Sequence, residues 1–134
     1  MMDSYKRAPA GLRSFLFAPG NHPRRAEKVF QSGADVVILD LEDAVAVAEK
    51  EATRAKVVTA MKKPRTSLGY VRINGVDSRW CMGDIEAVIG PWLDGIVLPK
   101  TESADQLRLV SERMSEAERR LGMAGGRLDL MPII

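Results

Sequence analysis

Three carboxylates close one apolar run, where Val36-Val37-Ile38-Leu39 leads into Asp40-Leu41-Glu42-Asp43. Two later runs carry cations. Arg72 stands inside Tyr70-Val71-Arg72-Ile73, with Asn74 next, and Lys100 follows Val97-Leu98-Pro99. Side chains alternate along a strand, so Asp40 and Glu42 share a face while the backbone stays extended, as do Arg72 and Asn74. Carboxylates beside an arginine and a lysine suit an anionic substrate and a divalent metal. Mg2+ is a hard ion that takes oxygen ligands and keeps several waters. Arginine's planar fork matches a carboxylate with two hydrogen bonds. A metal facing a 2-keto acid stabilises an enolate or a developing oxyanion as a Lewis acid.

Each of these residues also has a plainer reading. Asp40 and Glu42 fit as capping or surface acids of a strand-to-helix loop, and Lys100 as an ordinary loop lysine. Asn74-Gly75 fits simple turn chemistry. Arg72 is harder to place on the surface, because Val71 and Ile73 flank it. Pro19-Gly20-Asn21 holds one glycine, too little for a dinucleotide fingerprint or a phosphate loop. His22 reads as a helix-start residue, and Trp80, Trp92 and the methionines as core or interface. Cys81 is the single cysteine and His22 the single histidine, so neither an intrachain disulfide nor a Cys/His metal cluster is available.

The 134 residues suggest one domain, and 46% hydrophobic with 28% charged residues is the balance of an ordinary globular protein. Twenty basic and 18 acidic residues leave a net charge of +2 with no basic block, which argues against a nucleic-acid partner. Arg24-Arg25 reads as a solvated helix face. Met1 to Gly11 lacks the apolar core of a signal peptide, and no apolar run approaches the roughly 20 residues of a membrane span. The expectation is a cytoplasmic protein with no membrane partner.

Short apolar runs alternate with helical patterns. The runs are 14–18, 36–41, 70–73, 95–98 and 128–134, and their continuous apolarity is that of parallel strands covered on both faces. Pro23 suits a first helical position, Ala26, Val29 and Phe30 form a stripe, and Gly33 suits a stop. Ala52, Ala55, Val58 and Met61 share a face up to Pro64, and a short helix around Ile85, Val88 and Ile89 precedes Pro91. Ser103 and Gln106 have capping-box spacing, and Leu107, Val110, Met114, Ala117 and Leu121 then line one face. Strand, helix, strand repeats give an α/β protein with a parallel sheet. A doubly wound five-stranded sheet fits the length, whereas a (β/α)8 barrel takes about 250 residues. The run Met131-Pro132-Ile133-Ile134 has no helix after it, so the sequence reads as strands 1–5 of a longer repeat.

Four segments resemble, in order, motifs of the citrate lyase β-subunit (HpcH/HpaI aldolase) family, which includes citryl-CoA and malyl-CoA lyases. They are Arg13–Gly20 (RSFLFAPG), Gly33–Val45 (GADVVILDLEDAV), Val71–Asn74 (VRIN) and Val97–Ser103 (VLPKTES). The resemblance implies that residues 1–134 are the N-terminal portion of one (β/α)8 TIM-barrel lyase domain. It implies Mg2+-dependent cleavage or formation of a 3-hydroxyacyl-CoA, with an acyl-CoA and a 2-keto acid as partners. Arg72 matches the arginine that binds the keto-acid carboxylate. Glu42 and Asp43 match acids near the metal and its waters, with Asp40 beside them, and Asn74 and Lys100 fall among the substrate-facing positions. Pro19 and Gly20 would lie toward the coenzyme A moiety. The family's direct metal ligands are expected beyond Ile134, so no direct ligand is assigned within these residues. A homo-oligomer, trimer or hexamer, is implied as well. Family membership leaves thioester hydrolysis or coenzyme-independent aldol chemistry open on the same barrel. A flavodoxin-like binding module is the reading from another class.

Overall fold

The computed structural model describes residues 11–134. Met1 to Ala10, most of the segment read for a leader, lie outside them. The strands are β1 (Phe15–Pro19), β2 (Val36–Asp40), β3 (Leu68–Arg72), β4 (Gly95–Leu98) and β5 (Asp129–Pro132). Between them stand α1 (Pro23–Phe30), α2 (Lys50–Met61), α3 (Cys81–Val88) and α4 (Ala104–Arg120). A 3-10 turn, Val47–Glu49, leads into α2.

Local sequence accounts for most boundaries. Pro23 starts α1, where its missing N–H is no loss, and Gly33 (φ 85°) supplies the left-handed residue after it. Ser103 caps α4 by accepting the Gln106 N–H. The capping box is only half formed, because the Gln106 side chain takes the Glu102 N–H rather than that of Ser103. The α4 stripe buries Val110, Met114 and Ala117 as its spacing predicts, but Leu121 is exposed and Glu118 is buried. Glu118 accepts the N–H groups of Gly126 and Leu128, which fastens the turn into β5. The face expected for α2 is corrected: Ala52 and Ala55 are exposed, while Lys50, Thr53, Val57 and Met61 are buried.

All neighbouring strands pair in parallel, in the order β1-β2-β3-β4-β5. A doubly wound sheet reverses its strand order at a switch point, and this sheet has none. The two faces differ as well. Residues of all four helices join Val37, Leu39, Val71, Ile96 and Leu98 in one core. The opposite face packs Val36, Ile38, Leu68, Tyr70 and Val97 against Leu12, Met131 and Ile133, with no helix. Sequential parallel strands with every helix on one side are the arrangement of a (β/α)8 barrel, here through five strands, and the flavodoxin-like alternative is set aside. Asp40, Arg72 and Pro19 have the parity of the helix-free, inner face, and register pairs Asp40 with both.

Candidate active site

The C-terminal ends of β2, β3 and β4 bring the expected charges together. Asp40 ends β2 and Arg72 ends β3, directly across the ladder. Arg72 donates from Nε to Asp40 Oδ1 at 2.8 Å and from Nη2 to Oδ2 at 2.7 Å. The same carboxylate accepts the N–H groups of Glu42 (2.8 Å) and Ala44 (2.9 Å) as the chain leaves the strand. Burial would raise the Asp40 carboxyl, but the Arg72 bonds and the two N–H donors hold it below the usual carboxylate range. Hydrogen bonding to Asp40 likewise raises Arg72, against burial, with Glu42 and Asp43 adding their charge. The guanidinium carbon lies 4.9 Å from the centre of the Phe17 ring. No described residue accepts from Arg72 Nη1, so the guanidinium keeps its outer end open.

Glu42 is 7% exposed and splits its oxygens. Oε2 meets Lys100 Nζ at 2.5 Å. Oε1 is buried without a hydrogen-bond partner among the described residues and lies 3.7 Å from Arg72 Nε. Asp43 points outward, with Lys100 Nζ 3.4 Å from its Oδ1. Its carboxyl is held below the usual range by hydrogen bonding with the Glu42 side chain first, and then by the charges of Lys100 and Arg72. Glu42 raises the Lys100 ammonium, first through the hydrogen bond and then through its charge. Lys100 takes φ 51°, a left-handed conformation unusual for a residue with a side chain. Such strain clusters where function depends on placement.

The remaining expected site residues stand elsewhere around this cluster. Pro19 lines a hollow of about 220 Å³ with Phe17, Ala18, Asp40, Ala44 and Arg72. Gly20 donates its N–H to the Asp40 carbonyl, and a Cβ there would fall 2.6 Å from Val57 Cγ2 and 2.7 Å from that carbonyl oxygen. Asn74 is buried behind the strand ends. Its side-chain nitrogen donates to the Leu41 carbonyl and to Asp84, and Asp84 also accepts the Asn74 N–H.

Three residues of this back wall were not legible as site residues. Asp84, fully buried in α3, accepts from Asn74 and from Arg54 Nε at 2.8 Å. Lys50 Nζ donates to the Leu41 and Glu42 carbonyls. The available signal was spacing: Lys50 and Arg54, four apart on one helix, sit beside Thr53 and Val57 on the buried side. Cys81 is buried, and its thiol is pushed up to about 11 by burial and then by Asp84, so it is no nucleophile. His22 is the N-cap position of α1 and its side chain makes no capping bond. Among the described residues, no three Cys, His, Asp or Glu side chains converge as a metal-ligand set. No described helix is long and apolar enough to cross a membrane.

Charged groups gathered at the C-terminal ends of a sequential parallel sheet are the arrangement of the (β/α) barrel class. Residues 13–134 match the family model for HpcH/HpaI aldolase/citrate lyase. The chain belongs to that family. It is 36% identical over 124 residues to the citrate lyase subunit beta of Leuconostoc mesenteroides subsp. cremoris, covering 91% of this chain and 41% of that protein. It is 39% identical over 102 residues to a (3S)-malyl-CoA thioesterase of Cereibacter sphaeroides, covering 75% of this chain and 36% of that one. A solved structure of the citrate lyase beta subunit from M. tuberculosis, complexed with oxaloacetate and magnesium, superposes with a TM-score of 0.67 at 33% identity. That match covers 90% of this chain and 46% of the solved one. The chain thus spans less than half the length of each.

Proposed function

We propose that this chain forms the keto-acid half of a Mg2+-dependent carbon–carbon lyase. It would cleave or form a 3-hydroxyacyl-CoA such as citryl-CoA or malyl-CoA, giving an acyl-CoA and a 2-keto acid. One observation carries the proposal above the others: Arg72 is held by Asp40 along one edge while its outer end stays open at the strand termini. That end offers two N–H groups to a carboxylate. Asp40, which the resemblance sets beside the acids Glu42 and Asp43, has its oxygens taken by four donors and would serve to fix Arg72. The hollow beside Phe17 and Pro19 is of a size for a small keto acid.

The residues present fit a Mg2+ site at its outer edge. Glu42 Oε1, buried and without a hydrogen bond, is an acceptor suited to a water of the ion's shell, and Asp43 stands beside it. Mg2+, when bound, supplies positive charge against the oxygens of the keto acid. Glu42 and Asp43 would orient waters, Lys100 would hold Glu42 in place, and Asn74 would brace the loop from behind. The Pro19-Gly20 turn would face the coenzyme A moiety. Assembly as a homo-oligomer, trimer or hexamer, belongs to the same proposal and is read by light scattering.

A second reading has its own support in the likeness to a malyl-CoA thioesterase. A hydrolase releases free coenzyme A and a hydroxy acid, whereas a lyase releases a keto acid and leaves the acyl-CoA intact. Product analysis with citryl-CoA and malyl-CoA, with and without Mg2+, separates the two. Keto acid formed only with Mg2+ supports the lyase, and free coenzyme A without keto acid overturns it.

A further inference from the structure

Lys50 is the first residue of α2 and only 7% exposed, yet no carboxylate of the described residues pairs with it. A buried ammonium without a counter-ion is costly, so the groups that keep it there show what it serves. Its Nζ donates to two successive carbonyls, Leu41 at 3.1 Å and Glu42 at 2.8 Å, and lies 5.5 Å from the centre of the Trp80 ring. Those carbonyls flank the peptide from which the Glu42 side chain projects. The Leu41 carbonyl also takes Asn74 Nδ2 at 3.1 Å, and Asn74 is in turn fixed by Asp84 and, through it, Arg54.

We infer that Lys50 is a positioning residue: by clamping the Leu41 and Glu42 carbonyls it sets the direction in which the Glu42 carboxylate meets the water shell of a divalent cation. This rests on the lyase reading. Arg72 is held chiefly by its two bonds to Asp40 across the strand ladder, and the clamped loop reaches that pair only through the Glu42 and Ala44 N–H groups that Asp40 accepts and through Glu42 Oε1, 3.7 Å from Arg72 Nε. Each clamped carbonyl keeps a second donor when Lys50 is removed, Asn74 Nδ2 for Leu41 and the Val45 N–H for Glu42. Loss of the ammonium therefore frees the loop without orphaning a buried acceptor.

The test uses the full-length protein and the variants Lys50→Met and Lys50→Arg. Lys50→Met keeps an apolar side chain of similar length and removes the ammonium, with its two donated hydrogen bonds and its place over the Trp80 ring. Mg2+ binding followed by calorimetry should weaken about 10–100-fold, the range found when a group behind the ligands is lost. The KM for the keto acid should hold, thermal unfolding should move little, and Lys50→Arg should restore most of the Mg2+ affinity. A folded Lys50→Met protein with unaltered Mg2+ affinity overturns the inference. So does a loss shared equally with the keto-acid KM, which marks general damage. If Lys50→Met does not fold, Lys50→Gln carries the same comparison. Wild-type protein that binds no Mg2+ overturns the lyase reading and this inference together, whereas a normal wild type beside an unaffected variant overturns the inference alone.

Discussion

Arg72 meets Asp40 edge-on, with Nε and Nη2 on the two carboxylate oxygens at 2.8 and 2.7 Å. The pairing leaves the Nη1 end of the guanidinium as the only edge that can grip a substrate carboxylate. Lysine has no second edge, so Arg72→Lys cannot hold Asp40 and a keto acid together. Keto-acid affinity should fall by roughly 1.5–3 kcal/mol, the worth of a charge-assisted hydrogen bond. Steady-state kinetics checks this, and unchanged kinetics for both substrates would make Arg72 purely structural.

Asp40→Asn tests the other half of the pair. It removes the charge that compensates Arg72, and folding should weaken by about 3 kcal/mol, the low end for a broken buried pair. The low end applies because the Arg72 side chain keeps 18% exposure and Glu42 lies 3.7 Å away. The folded-state pKa of Asp40 is depressed below its ordinary 3.8, so its contribution is fully present above that value. It is lost as pH falls through the lower, folded value. Denaturant unfolding of wild type should therefore weaken below about pH 4, and the variant should show a flatter acid limb. Parallel acid limbs would assign the pH dependence to other groups.

Glu42→Gln should act on the metal more than on the fold. Activity titrated with Mg2+ should show a requirement raised about 10–100-fold, with little change in thermal stability. Normal Mg2+ dependence with a lowered Tm would make Glu42 a loop-capping acid.

Gly20→Ala puts a methyl group within 2.7 Å of the Asp40 carbonyl and closer still to Val57. The backbone must move, at a cost of about 1–3 kcal/mol. Because that carbonyl belongs to the residue that holds Arg72, the keto-acid KM should rise along with the loss of stability. An unaltered Tm would show that the turn has room to adjust.

The order of elements was legible because β2 is apolar up to its last residue, Asp40, and buried throughout. β1 is as apolar, and its Phe15, Leu16 and Phe17 are 42–44% exposed on a strand that, among the described residues, pairs only with β2; in a closed barrel a further strand lies along that edge. Composition reports what a residue tolerates and says nothing of which neighbour covers it. Asp40, Glu42, Asp43, Arg72 and Lys100 could be singled out as candidates because strand ends concentrate such groups. Asp40's role in holding Arg72 depends on register, which pairs the two residues across β2 and β3. The face of α2 went wrong for a related reason. Hydropathy favours Ala52 and Ala55, but Lys50 and Thr53 are buried because carbonyls accept from both side chains. Asp84 was invisible, since its hydrogen bonds to Asn74 and Arg54 follow from how α3 lies against α2.

The most direct measurement is product analysis of the full-length protein with citryl-CoA and malyl-CoA, comparing wild type with Arg72→Lys across a Mg2+ titration. Wild type should release a 2-keto acid and an acyl-CoA only when Mg2+ is present. In the reverse direction, Arg72→Lys should raise the keto-acid KM by about 10–150-fold, as 1.5–3 kcal/mol requires. Release of free coenzyme A without keto acid, or a variant with wild-type KM, would contradict a lyase whose keto acid is gripped by Arg72.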